Sequence, residues 1–204
     1  ETVWRQADKF NMPRLCFVNK LDRTGANFKE DLASIEKKLT KKAVPVQLPI
    51  GAEEKFEGVV DLLKMKAYYF TDDINQPLKE GEIPEEMKAE ADDCHGILVE
   101  RIAAEKSELL EKYLNNEELS IDELRAGLRQ AVLDYNLVPV LCGSALKNKG
   151  IHLLLDAIHY YLPNPADLPP VQGTDLKGEP AERRTGDDEP FSALVFKIAS
   201  DPYV

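Results

Sequence analysis

Two short apolar runs, Leu15-Cys16-Phe17-Val18 and Val138-Pro139-Val140-Leu141-Cys142, each pass directly into a loop of small or polar residues and then into an amphipathic stretch. An apolar run without alternation reads as a strand buried on both faces, which means a parallel sheet covered by helices. Val3, Trp4, Ala7 and Phe10 recur at helical spacing before the first run, and Phe28, Leu32, Ile35 and Leu39 do so after it. The order helix, strand, loop, helix predicts an α/β fold, part of a doubly wound sheet.

The sequence between the two runs has another character. Val44 to Gly51 and Gly58 to Phe70 are rich in β-branched and apolar residues and are separated by the polar turn Ala52 to Glu57, so they read as short strands. A connection with Lys79-Glu80-Gly81 and Pro84 leads into a long helical stretch from Glu85 to about Asn115. Ser120-Ile121-Asp122-Glu123 has the form of a capping box opening a further helix through Leu124, Leu128, Val132 and Tyr135. The second run is followed by a helix over Ile151 to Leu162, with Leu154, Leu155, Ile158 and Leu162 as its core stripe, which Pro163-Asn164-Pro165 stops.

These elements predict residues 1–39 and 136–165 as parts of one parallel-sheet domain and 40–135 as an acidic α+β insertion. Residues 166–189, with Pro169-Pro170 and several glycines, read as a linker, and 190–204 as the first strand of a further, all-β domain. The chain starts at Glu1 and ends shortly after an apolar alternating run, and it is expected to be a piece of a longer protein.

The formal net charge is −11, and one segment carries it: Asp72 to Glu123 holds 17 acidic and 5 basic residues. Such a surface repels phosphate backbones, which argues against nucleic-acid binding there; it suits steering of a basic protein partner, and equally a set of ordinary solvated helices kept soluble by Glu and Asp. Cys16, Cys94 and Cys142 are odd in number and widely spaced, as expected of reduced thiols in a cytoplasm. No metal-ligand spacing links them to His95, His152 or His159. With no charged-then-apolar leader and no apolar stretch near 18 residues, neither secretion nor membrane insertion is expected.

The loop behind the first run, Asn19-Lys20-Leu21-Asp22, has the chemistry of a guanine-recognition loop. Guanine offers two adjacent donors, N1–H and the N2 amino group, and a carboxylate at the end of a buried strand accepts both through parallel charge-assisted bonds. Asp22 is that candidate carboxylate. Adenine lacks the donor pair, and a site that leaves a buried charged acceptor unpaired rejects the wrong base by roughly 10⁴-fold. The loop behind the second run, Gly143-Ser144-Ala145-Leu146, consists largely of small residues that allow the backbone close to a planar base, so an amide there can donate to the guanine carbonyl oxygen. In open parallel sheets ligands sit outside the carboxyl ends of neighbouring strands, where both loops are predicted to lie. The alternative is a solvated turn in which Asn19 and Asp22 only cap backbone amides.

Longer stretches resemble one family. Cys16 to Phe28, Gln47-Leu48-Pro49-Ile50-Gly51-Ala52-Glu53, Leu141 to Gly150, Asp156-Ala157-Ile158 through Tyr161-Leu162-Pro163, and Phe196 to Val204 are similar to bacterial-type translation elongation factor G, in the same order and across nearly the whole chain. The resemblance implies a P-loop-GTPase-type fold with an inserted subdomain and the opening strand of a β-barrel. It also implies a GTPase that drives translocation of tRNA and mRNA on the ribosome, with GTP or GDP and Mg²⁺ as ligands. Carried onto this sequence, Asp22 would bind guanine N1 and N2, Asn19 would hold the loop and touch the base edge, and Lys20 would lay its stem over the base. Ser144, Ala145 and Leu146 would form the second base-contacting loop. The acidic insertion would meet the ribosomal stalk protein, and the factor is expected to be a cytoplasmic monomer with no membrane partner.

The sequence contains no Gly-x-x-x-x-Gly-Lys-[Ser/Thr] loop to cradle phosphates or place Mg²⁺, and no histidine in a water-positioning motif. The whole protein is expected to hydrolyse GTP and this chain alone to be inactive. The competing expectation, of another class, is a non-enzymatic α/β module presenting an acidic surface to a basic protein.

Overall fold

The computed structural model describes residues 1–71 and 78–200. Asp72 and Asp73 of the acidic block and the terminal Asp201-Pro202-Tyr203-Val204 lie outside the described residues. Two compact units divide at Leu162–Pro163.

In the first unit, helix α1 (Thr2–Lys9) leads to strand β1 (Cys16–Val18), then to α2 (Phe28–Lys38) and β2 (Ala43–Pro45). A meander follows: β3 (Gln47–Ile50), β4 (Gly58–Asp61), β5 (Lys66–Tyr69) and β6 (Lys79–Gly81). Then come α3 (Glu85–Ala103), α4 (Ser107–Leu114), α5 (Ile121–Leu133), β7 (Val138–Cys142) and α6 (Ile151–Tyr161). Strands β1, β7 and β2 form a parallel sheet in that order, and β3 to β6 form an antiparallel sheet in sequence order. This is the α/β architecture expected of a P-loop-GTPase-type domain, with further strands. All five residues of β7 are buried, as a strand flanked on both edges and covered on both faces requires.

One strand was expected over Val44 to Gly51, and two are found. Val46 divides them: its amide donates to Val140 O in the parallel sheet at 3.1 Å, and its carbonyl accepts from Leu62 N in the meander at 3.0 Å. Next to it the buried Gln47 side chain accepts the Cys142 amide, so a polar group inside the junction is satisfied. Gly58 to Phe70 folds into a hairpin, β4 and β5, whose turn is held by Asp61 Oδ1 accepting from Leu63 N and Lys64 N. Lys79-Glu80-Gly81, expected as a connection, pairs with β5.

The helices begin where their caps dictate. Asn27 accepts from Lys29 N and Glu30 N ahead of α2, and Glu30 and Asp31 in the first turn oppose Lys37 and Lys38 in the last, matching the helix dipole. Ser120 and Glu123 form the complete capping box of α5. The stretch from Glu85 to Asn115 is two helices rather than one, because Lys106 turns extended (φ −139°, ψ 122°). That break lets α3 and α4 pack on α5 at Gly127, where an added Cβ would lie 2.6 Å from Ile102 Cγ2 and 2.8 Å from Leu109 Cδ1.

Two apolar faces differ from expectation. On α6 the buried residues are Ala157 and Tyr161, with Leu153 packed beside them, while Leu155 and Ile158 face solvent. This helix is apolar nearly all round, so its period admits more than one stripe. Helix α1 buries nothing. It is held through Arg14, whose guanidinium stacks 4.7 Å from the Trp4 ring and pairs with Asp8 at 2.8 Å.

The second unit holds a hairpin, β8 (Val171–Thr174) with β9 (Pro180–Arg183), in the segment expected to be a linker. Residues 190–200, where a strand was expected, form no ladder, and Phe191, Leu194, Val195, Phe196 and Ile198 are exposed. A strand needs a neighbour to satisfy its backbone groups, and none among the described residues is paired with this segment. Among the described residues, no helix is long and apolar enough to cross a membrane.

Candidate functional site

Strands β1 and β7 are neighbours in register, Val18 opposite Cys142, so their C-terminal loops leave the sheet side by side. The backbone continues the pairing past the strands. Gly143 N donates to Val18 O at 2.9 Å and Leu21 N to Gly143 O at 3.2 Å. Leu21 is buried and anchors the first loop to the core.

Asn19 joins the loops. Its Oδ1 accepts the Lys20 amide at 2.8 Å within its own loop and the Ala145 amide at 2.9 Å from the other. Lys20 takes a left-handed conformation (φ 66°), reversing the chain so that Asn19 and Asp22 face the second loop. Asp22, with a side chain only 9% exposed, lies 3.1 Å from Lys147 Nζ. A hydrogen bond from the buried Ser144 and then the Lys147 ammonium hold the Asp22 carboxyl below its usual range.

The second loop is a closed turn. Ser144 and Lys149 exchange two backbone hydrogen bonds of 2.9 Å, and Asn148, left-handed at φ 55°, donates to Ala145 O. Gly143 must be glycine here: a Cβ would run into the Lys149 carbonyl oxygen and lie 2.6 Å from the Phe17 ring. Leu146 stands at the rim with 87% of its surface exposed.

The structure thus gathers Asn19, Lys20, Asp22, Ser144 and Ala145 at one end of the parallel sheet, with Leu146 beside them in solvent. A carboxylate that accepts a hydroxyl hydrogen bond, with an ammonium on its open side, suits a ligand with a pair of adjacent donors. Lys147 is half-exposed, so it can swing into water and release its oxygen. These residues fit a guanine ring. No group of three His, Cys, Asp or Glu side chains among the described residues is arranged to hold a metal ion. Sequence reasoning assigned no role to Lys147, because its pairing with Asp22 depends on how the second loop closes.

The family profile described as Elongation factor Tu GTP binding domain matches residues 1–164. The chain belongs to this family. A crystal structure of a protein from Thermus thermophilus is similar, with a TM-score of 0.73 and 29% sequence identity over 83% of this chain. The match covers 26% of that protein, so this chain spans about a quarter of its length.

Proposed function

We propose that this chain is the base-recognising part of a translational GTPase of the elongation factor G type, acting in translocation of tRNA and mRNA on the ribosome in the cytoplasm. The observation that carries the reading is the junction of the two loops: Asn19 on the Ala145 amide, beside an Asp22 carboxylate that accepts a hydrogen bond from Ser144.

On this reading the Asp22 oxygens accept guanine N1–H and N2–H, and Lys147 moves aside. The Lys20 stem covers one face of the base, and Leu146 adds apolar contact at the edge. The Ala145 N–H, which donates to Asn19, is shared with the guanine carbonyl oxygen, while Asn19 keeps the Lys20 amide. GTP or GDP is the ligand. Phosphate and Mg²⁺ contacts come from elsewhere in the full-length factor, and the chain alone hydrolyses no GTP. Residues 1–39 and 136–165 belong to the GTPase domain, 40–135 to its insertion, and 166–189 and 190–204 to the linker and the start of domain II. Helix α3 exposes Glu85, Glu86, Asp92, Asp93 and Glu100, which supports docking of the insertion on the ribosomal stalk protein. The factor works as a monomer.

Calorimetric titration of the full-length protein with GDP, IDP and ADP tests the reading. GDP is expected to bind tightest, IDP, which lacks the N2 amino donor, at least tenfold more weakly, and ADP weakest. Equal affinity for GDP and ADP would contradict it.

A further inference from the structure

Both loops are gripped from one place outside the parallel sheet. The turn between β3 and β4 contributes Glu53, whose Oε1 accepts the Gly25 amide at 2.7 Å across 28 residues of sequence. Gly25 follows Asp22 by three residues in a run of tight turns, with Arg23 N on Lys20 O and Ala26 N on Arg23 O. The same turn contributes the Phe56 carbonyl, which accepts from Lys149 Nζ, and the ammonium lies 5.7 Å from the centre of the Phe56 ring. Lys149 is the residue whose backbone closes the Ser144 loop.

The turn is rigidly set. Gly51 is left-handed at φ +76°, and a Cβ there would collide with the Lys55 carbonyl oxygen. Phe56 is fully buried and packs edge-on against Phe70, with ring centres 5.1 Å apart. Glu53 itself is left-handed at φ 53°, a conformation that Gly or Asn adopts more cheaply. What Glu53 supplies, and neither of those can, is a carboxylate long enough to reach Gly25.

We propose that Glu53 and Lys149 are positioning residues for base recognition, and that the 51–56 turn is a bracket fixing the distance between the Asn19–Asp22 loop and the Ser144–Lys149 loop. The inference rests on the reading of those loops as the guanine site. Neither residue touches the base: Glu53 acts through the Gly25 turn, and Lys149 through the closure of its own loop.

The test is the rate of release of a fluorescent GDP analogue from the full-length protein, measured beside the melting temperature. Glu53→Ala and Lys149→Ala are each expected to speed release roughly three- to tenfold, the effect of one lost hydrogen bond. Glu53→Gln keeps an oxygen acceptor and Lys149→Arg keeps a donor, and both are expected to restore release to within about twofold of the parent. If Lys149→Ala does not fold, Lys149→Met, which retains the stem and removes the donor, is expected to show the same fast release. Asp22→Asn serves as the reference. Impaired binding in Asp22→Asn together with parental release from Glu53→Ala and the Lys149 variant overturns the bracket alone. Unimpaired binding in Asp22→Asn overturns the guanine site and the bracket with it. Lowered melting temperatures with unchanged release also overturn the bracket, since that is what a purely structural contact gives.

Discussion

The Asn19 Oδ1 atom accepts the Ala145 amide at 2.9 Å, a hydrogen bond between residues 126 positions apart that fastens the loop after β1 to the loop after β7. A side-chain oxygen thereby takes over where the parallel ladder ends. Asn19→Ala leaves the Lys20 and Ala145 amides to water, and the expected cost is about 1 kcal/mol, a fall in melting temperature of roughly 2–4 °C. Hydrogen exchange at the Ala145 amide is expected to accelerate in the variant, and unchanged exchange would show that the bond is dispensable.

Gly143→Ala acts on the same junction by sterics. The new methyl group meets the Lys149 carbonyl oxygen and the Phe17 ring, and backbone cannot yield as a flexible side chain can. The expected loss is about 1–3 kcal/mol, read from denaturant unfolding, with weaker guanine binding in the full-length protein.

Acid sensitivity should trace to the α5 cap. Lys112 and then Ser120 hold the Glu123 carboxyl down to about 2 from its ordinary value of 4.5. A carboxylate with a depressed folded-state pKa gives stability that is complete above the unfolded value and is lost as pH falls through the folded one. Thermal melts between pH 6 and 2, endpoints chosen to span roughly the ordinary and folded-state values, are therefore expected to show a smaller acid-induced drop below pH 4.5 in Glu123→Gln than in the parent. Parallel curves would rule the cap out as the source.

Thiol reactivity follows burial. Cys142 is fully buried in β7, and desolvation pushes its thiol well above the usual range. Alkylation of the folded chain near neutral pH is expected to spare Cys142 and to modify it only with global unfolding. Modification without unfolding would mean that β7 opens locally.

Features written in local patterns were legible before the coordinates. Ser120 with Glu123 announces a capping box, and the apolar run before Asn19-Lys20-Leu21-Asp22 announces a strand with a loop at its C-terminal end. Features decided by a distant partner were not. Nothing near Val46 marks it as the point where pairing changes sheets, since that depends on Val140 and Leu62. The helix break at Lys106 carries no Pro or Gly, and the two helices that it separates meet α5 at Gly127, a partner far along the sequence. Helix α6 offered several apolar stripes, and only its neighbours selected Ala157 and Tyr161. At the candidate site the loop residues were proposed from their chemistry, whereas Lys147, Glu53 and the ammonium of Lys149 meet partners far away in the sequence, the Asp22 carboxylate, the Gly25 amide and the Phe56 carbonyl.

The central claim is that the Asp22 carboxylate reads the donor pair of guanine, and a base-preference swap tests it most directly. Asp22→Asn replaces one acceptor with a donor, which opposes guanine N2–H and matches the C2 oxygen of xanthine. Titration of the full-length variant is expected to show GDP affinity reduced by roughly 10²-fold or more and XDP bound more tightly than GDP. Unchanged GDP affinity with no gain for XDP would contradict the account.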